Sequence, residues 1–260
     1  MRPKWKVLTD RLAGEIRDGT RPPGSVLPRI VELVAAGDGS KATVNRAYKE
    51  LESAGLVTSM RGRGTVVREP ARVRLPLSRF QHALEAGGAR GPWEMATADQ
   101  GLDGRMQVDN PAAEFLDAPG DVAEFLGLTP GALVVRRRRR ALIGADVIAL
   151  QDAWYPLDVA EAAGLDSPDK IAGGTLGALA DAGIVPAQAD EHVTADAPTD
   201  EQSANLAVGT RAAVLLVDRV TRDETGRAIE LVRLVGAANR LTLVYAPLPL
   251  KTSAPRGQPG

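Results

Sequence analysis

Residues 40–67 read SKATVNRAYKELESAGLVTSMRGRGTVV, and this stretch decides the fold of the N-terminal part of the chain. Val44, Ala47, Tyr48 and Leu51 recur at helical spacing, which predicts a helix from Lys41 to about Ala54 with these four on its buried stripe. Ser40 stands at the N-cap, where a hydroxyl accepts a bond from a free amide of the first turn, and Gly55 supplies the stop. After Gly55 the period changes. Leu56–Ser59 and Thr65–Val67 read as two short strands around Met60-Arg61-Gly62-Arg63-Gly64, a hairpin with a basic, glycine-rich tip.

Upstream, Trp5, Leu8, Leu12 and Ile16 predict a helix from Lys4 to Asp18, stopped by Gly19. The breakers of Arg21–Ser25 follow. A short second helix is expected to open at Pro28, to bury Ile30, Leu33 and Val34, and to close at Gly37-Asp38-Gly39. Two helices joined by a short turn and followed by a hairpin make a winged helix-turn-helix. The third helix of such a unit enters the major groove of double-stranded DNA. Ser40, Lys41, Thr43, Asn45 and Arg46 lie at or near its N-terminal end, while Arg61, Gly62 and Arg63 form the wing tip, where cations neutralise phosphates and glycine admits close approach. Taken singly, each of these is an ordinary solvated polar position. Their order and spacing favour DNA.

Charge agrees with this division. Residues 1–70 carry thirteen Lys and Arg against eight Asp and Glu, an excess of +5, so with a total of -1 the remainder carries -6. A basic head on an acidic body is the asymmetry of a DNA-binding domain joined to something else. The chain has no cysteine, which excludes disulfides and thiolate chemistry. Its longest apolar run, Ala212–Val217, is far short of the ~20 residues of a membrane span, and no apolar leader follows Met1. A soluble, cytoplasmic protein is expected.

These motifs resemble the winged helix of the GntR superfamily of bacterial repressors. Gly19-x-x-x-x-Gly24-x-x-Leu27-Pro28, Ser40-x-x-Thr43-Val44-x-x-Ala47, Gly55-Leu56-Val57 and Arg61-Gly62-Arg63-Gly64-Thr65 carry the likeness across residues 4–67. The resemblance implies DNA contacts from Lys41, Thr43, Asn45, Arg61 and Gly62. Val31 and Asn45 stand where many members have arginine, and Arg29 is placed to compensate. The operator is therefore expected to differ from the common one.

The domain boundary is placed near residue 70, with a linker over 71–90, a second domain over 91–250 and a disordered tail over 251–260. Short strands over 133–140, 147–154, 191–195, 213–222, 228–235 and 241–245 alternate with helices over 121–128, 158–163, 174–182 and 199–206, the last capped by Thr199. This reads as α+β, a mostly antiparallel sheet with helices on one side. The run Arg136–Arg140 is its oddest feature. Alternation puts Arg136, Arg138 and Arg140 on one face of a strand and Arg137 and Arg139 on the other. A charged edge strand, a nucleic-acid patch and a buried anion clamp all fit the run.

Leu126-Gly127-Leu128-x-x-Gly131, the arginine strand, Tyr155-Pro156, Glu191-x-Val193-x-Ala195 and Gly226-Arg227-x-Ile229-Glu230 resemble the UTRA effector domain. That domain belongs to the HutC-like branch of the superfamily and shares its fold with chorismate lyase. The likeness implies an effector pocket with Arg138, Arg140 and Glu230 at its polar positions, Gln151 in place of a glutamate, and Arg240 nearby. Gly236 replaces a tyrosine and Asn239 an aspartate. The expected partners are an operator duplex, an anionic metabolite and a second copy of the chain paired through the C-terminal sheet. No cofactor or metal is implied, and His82 and His192 are read as structural or solvated. Two rivals remain: a ligand-independent DNA-binding protein, and an enzyme of chorismate-lyase-like fold. The second lacks any nucleophile, acid–base or metal-ligand motif.

Overall fold

Leu8, Leu12 and Ala13 share one face of α1 (Lys4–Arg17) and pack on Val44, Ala47 and Leu51 of α3 (Lys41–Ser53), with Leu33 of α2 (Ile30–Ala35) beneath. Each such buried aliphatic side chain contributes on the order of 2 kcal/mol. Gly19 ends α1 at φ +83°, where other residues are strained. The Ser40 hydroxyl accepts from the Thr43 amide at 3.3 Å, so the expected cap is present. The helix α2 opens at Ile30 rather than Pro28. Tyr48 donates its hydroxyl to the Pro28 carbonyl at 2.5 Å, Arg29 stays extended, and Glu32 folds back onto the Arg29 amide at 2.8 Å. Burial pushes the Tyr48 pKa up to about 12, so this bond holds across the ordinary pH range.

The computed structural model describes residues 2–69, 71–85, 90–171, 174–209 and 212–246. The expected tail over 251–260 and the side chain of His82 lie outside the described residues. The wing is the antiparallel hairpin β1 (Val57–Met60) and β2 (Gly64–Val67). A third segment joins it that the sequence did not suggest. The Gly24 and Leu27 amides donate to the Val67 and Thr65 carbonyls at 2.9 and 2.8 Å, and the Val67 amide donates to Ser25 at 2.8 Å.

The body follows as β3 (Val73–Pro76), α4 (Arg79–Glu85), α5 (Pro92–Ala98), β4 (Gly104–Val108), β5 (Glu114–Asp117), α6 (Gly120–Leu126), β6 (Leu133–Ile143) and β7 (Asp146–Pro156). It continues with α7 (Leu157–Ala162), α8 (Gly174–Asp181), β8 (Pro186–Asp196), α9 (Asp200–Leu206), β9 (Val214–Asp223), β10 (Ala228–Ala237) and β11 (Leu241–Val244). Among the described residues the main sheet runs β4-β6-β7-β10-β9-β8, with β5 also on β6, and all its pairs are antiparallel.

Three expectations are corrected here. Within the expected linker, residues 73–76 and 79–85 form regular structure. Val73 and Leu75 are buried, and β3 pairs in parallel with β11, because the short apolar alternation finds a partner 168 residues downstream. Helices cover both faces of the sheet, not one. Val135, Ala153 and Tyr155 meet α7 and α8 on one face, with Trp93 of α5 packed on Ala141 and Ala149 further along it. Val134, Trp154 and Leu231 meet α6 on the other face, where Val235 and Ala237 meet Leu206 of α9. The elements α5, β4 and β5 were not expected at all; Gly91 is the N-cap of α5 and Pro92 its first residue.

Candidate functional site

At the head surface, Lys41, Arg46 and the wing residues Arg61, Gly62 and Arg63 are exposed, while Thr43 and Asn45 are half-buried at the start of α3. Gly62 has φ +78° and no atom near the place a Cβ would take, so the tip requires glycine for its turn and stays open to an approaching backbone. Arg29 is exposed at the N-cap of α2, beside Val31 at 69% exposure. Two of the candidate cations are partly engaged. The Arg46 guanidinium lies 4.1 Å from the Trp5 ring centroid, and Arg63 reaches the Gly24 carbonyl at 3.4 Å. Lys41, Arg46, Arg61 and Arg63 are thus all exposed on the head.

A cavity of about 580 Å³ opens in the body against the sheet face that carries Arg137 and Arg139. The structure brings Gln151 and Glu230 to it and leaves Arg138, Arg140 and Arg240 outside. Arg138 and Arg140 project from the opposite face, where they pair with Asp152 at 4.0 Å and Asp109 at 3.6 Å. The physical reason is the strand phase. Val134 and Val135 are both buried at one end of β6, as are Ala141 and Leu142 at the other, so local apolarity marks neither face. Arg240 sits where head meets body, and its guanidinium, pulled down from its usual range mainly by burial, donates to the Val147, Leu206 and Ala207 carbonyls. At Gly236 a Cβ would lie 2.3 Å from Leu241 Cδ2, so the Leu241 side chain occupies the space beside this residue.

The cavity's charges are set by their partners. Arg137 is 2% exposed and donates to three carbonyls, Leu165 and Ser167 at 2.7 and 2.8 Å and Asp169 at 2.7 Å. It clamps the loop after α7. Arg79 and Arg219 share one oxygen of Glu191, at 2.6 and 3.3 Å, and the Arg219 guanidinium covers Phe80 at 3.8 Å. Burial lowers the Arg79 pKa, and the Glu191 carboxylate opposes that shift. Glu230, 3% exposed, accepts from the Tyr155 hydroxyl at 2.6 Å and from Thr221 at 3.2 Å. Burial, reinforced by Glu230, pushes the Tyr155 phenol well up and keeps it protonated. Among the described residues Arg139 makes only long contacts, 3.4 Å to each of the Tyr155 and Thr175 hydroxyls. Six cations border the cavity (Arg79, Arg90, Arg137, Arg139, Lys170 and Arg219) against Glu94, Glu230 and the adjoining Glu191. Cations thus outnumber carboxylates around this cavity. Arg79, Phe80, Trp93 and Arg219 were not foreseen, since each comes from an element whose place is set by non-local pairing.

Head and body touch at a second, smaller cavity. Arg68 pairs with Asp146 at 3.2 Å, and the Gly209 amide donates to the Arg17 carbonyl at 3.0 Å. A Cβ on Gly209 would lie 2.5 Å from that carbonyl oxygen, so the close approach requires glycine. Asp146 opens β7, the strand that carries Gln151 into the larger cavity.

The profile described as "Bacterial regulatory proteins, gntR family" matches residues 6–67, and the profile described as "UTRA domain" matches residues 106–242. The chain belongs to the GntR family of bacterial regulators, with a UTRA domain. An uncharacterised HTH-type transcriptional regulator of Streptomyces coelicolor is 34% identical over 94% of this chain and 92% of that one. The HTH-type transcriptional repressor NagR of Bacillus subtilis is 23% identical over 94% of each. The crystal structure of PhnF from Mycobacterium smegmatis has the same fold, with a TM-score of 0.58 at 23% identity over 96% of this chain and 100% of that one. This GntR-family chain is a DNA-binding transcriptional regulator. No helix among its described residues is long and apolar enough to cross a membrane.

Proposed function

We propose that this GntR–UTRA regulator is a homodimeric cytoplasmic repressor whose hold on DNA is controlled by a small anionic metabolite in the body cavity. The observation that carries the reading is the β6–β7 hairpin. Its strands put Arg139 and Gln151 into the cavity, and its tip holds the head through Asp146 and Arg68. A ligand that moves these strands acts on the head's position. In this reading Lys41, Thr43, Asn45 and Arg46 face the major groove, with Ser40 at the helix end, Arg29 beside them, and Arg61, Gly62 and Arg63 on the flanking backbone. Two copies related by a two-fold axis place two such heads on a roughly palindromic operator. If the metabolite induces, it binds the DNA-free conformation more tightly, and DNA weakens metabolite binding by the same factor.

The test is to select duplexes from a random pool with the full chain, then follow a labelled selected duplex by fluorescence anisotropy while adding fractionated anionic metabolites. Release by at least one fraction is expected. Failure to enrich any duplex would reject the repressor reading, and enrichment with no fraction active would leave a regulator without an effector.

A further inference from the structure

Along one row of the cavity floor the polar groups lie at one end, while Arg219, in the neighbouring row, is already paired with Glu191. One row of the sheet runs Val108, Arg139, Gln151, Leu234, Val217 across β4, β6, β7, β10 and β9. Only Arg139 and Gln151 in that row are polar. With strands ~4.8 Å apart, the floor beyond Gln151 is apolar for about 10 Å. Trp93 and Leu176, from α5 and α8, line the cavity as well and extend its apolar surface. A heavily hydroxylated ligand would leave most of its hydroxyls without partners over such a floor, at a cost for each.

The arginines differ in what they still have to offer. Arg137 is committed to three carbonyls, and Arg79 and Arg219 already share a carboxylate. Arg139 has no carboxylate within ion-pair distance among the described residues, and its two contacts are long. Glu230 sits one hydroxyl away, through Tyr155, so the ligand charge favoured at this end is small.

Resting on the reading that this cavity is the effector site, we propose that it takes an amphipathic monocarboxylate. The carboxylate pairs with Arg139 beside Gln151, and a hydrocarbon body about 10 Å long lies over Leu234 and Val217. The ligand's single charge replaces the partner that Arg139 lacks, and its chain replaces water on the apolar floor.

The full chain is titrated with octanoate, octanamide and glucose 6-phosphate, following thermal unfolding and tryptophan fluorescence. Octanoate is expected to raise Tm and change the fluorescence; the neutral amide and the sugar phosphate are expected to do neither. Arg139→Gln should abolish the octanoate response, and Arg138→Gln, on the other face, should retain it. Gln151→Glu sets a carboxylate beside Arg139 with little change of shape and should weaken octanoate at least tenfold, which keeps the test decisive if Arg139→Gln folds poorly. A response to glucose 6-phosphate but not octanoate, an octanoate response that survives both cavity variants, or no response to any of the three would overturn the proposal. Octanoate binding that leaves DNA affinity unchanged would uphold the ligand class and defeat the regulatory reading instead.

Discussion

In the head, Lys41, Arg61 and Arg63 stand exposed above an aliphatic core, whereas in the body Arg79, Arg137 and Arg219 are turned inward and held by carbonyls or by Glu191. The same residue type serves opposite ends. An exposed cation keeps its hydration, contributes little to stability and is available for a phosphate. A buried one must be satisfied within the fold, so its partners become part of the architecture. One region should therefore lose binding when its cations are removed, and the other should lose structure.

The largest effect is expected at Arg137. Arg137→Leu strips three carbonyls of their donor and should cost about 3 kcal/mol or more, read by urea denaturation of the full chain. A loss below that of an ordinary surface change would mean the loop after α7 holds itself. Next comes the double variant Lys41→Ala with Arg61→Ala. Operator affinity should fall roughly a hundredfold, and the salt dependence should become shallower, while Tm stays close to the parent. Unchanged affinity would reject the helix-and-wing surface.

A third variant tests the boundary between the two regions. Gly209→Val drives a side chain into the Arg17 carbonyl. Overpacking of this kind costs typically about 1–3 kcal/mol, and here it should separate head from body. The expected signs are faster proteolysis between them and an operator response to ligand that is blunted. Ser40→Ala, which removes the cap of α3, should cost about 1 kcal/mol, with a matching drop in DNA affinity. The smallest change is Arg138→Gln. Its ion pair with Asp152 is long and only half-buried, so stability should move by less than about 0.5 kcal/mol and ligand response should persist. A large loss of ligand response there would restore the face expected from the resemblance.

The sequence by itself determined the head. Its core stripes, its Ser40 cap and its glycine-tipped wing are local signals, each contained within a few turns or a hairpin, and the described structure realises them in order. It also determined the strand and helix periods of much of the body, while Gln151 and Glu230 at the cavity were implied by the family resemblance. Tertiary structure alone decided which arginines face inward. β6 is apolar on both sides at both ends, so its phase is set by the packing of α7, α8 and α6 on opposite faces rather than by anything in the run itself. It alone turned residues 73–76 from a connection into a strand beside β11, and it alone carried Arg79 and Phe80 to Arg219 and Glu191. Contacts between residues more than a hundred positions apart depend on how whole elements stack, and no period in the chain encodes that.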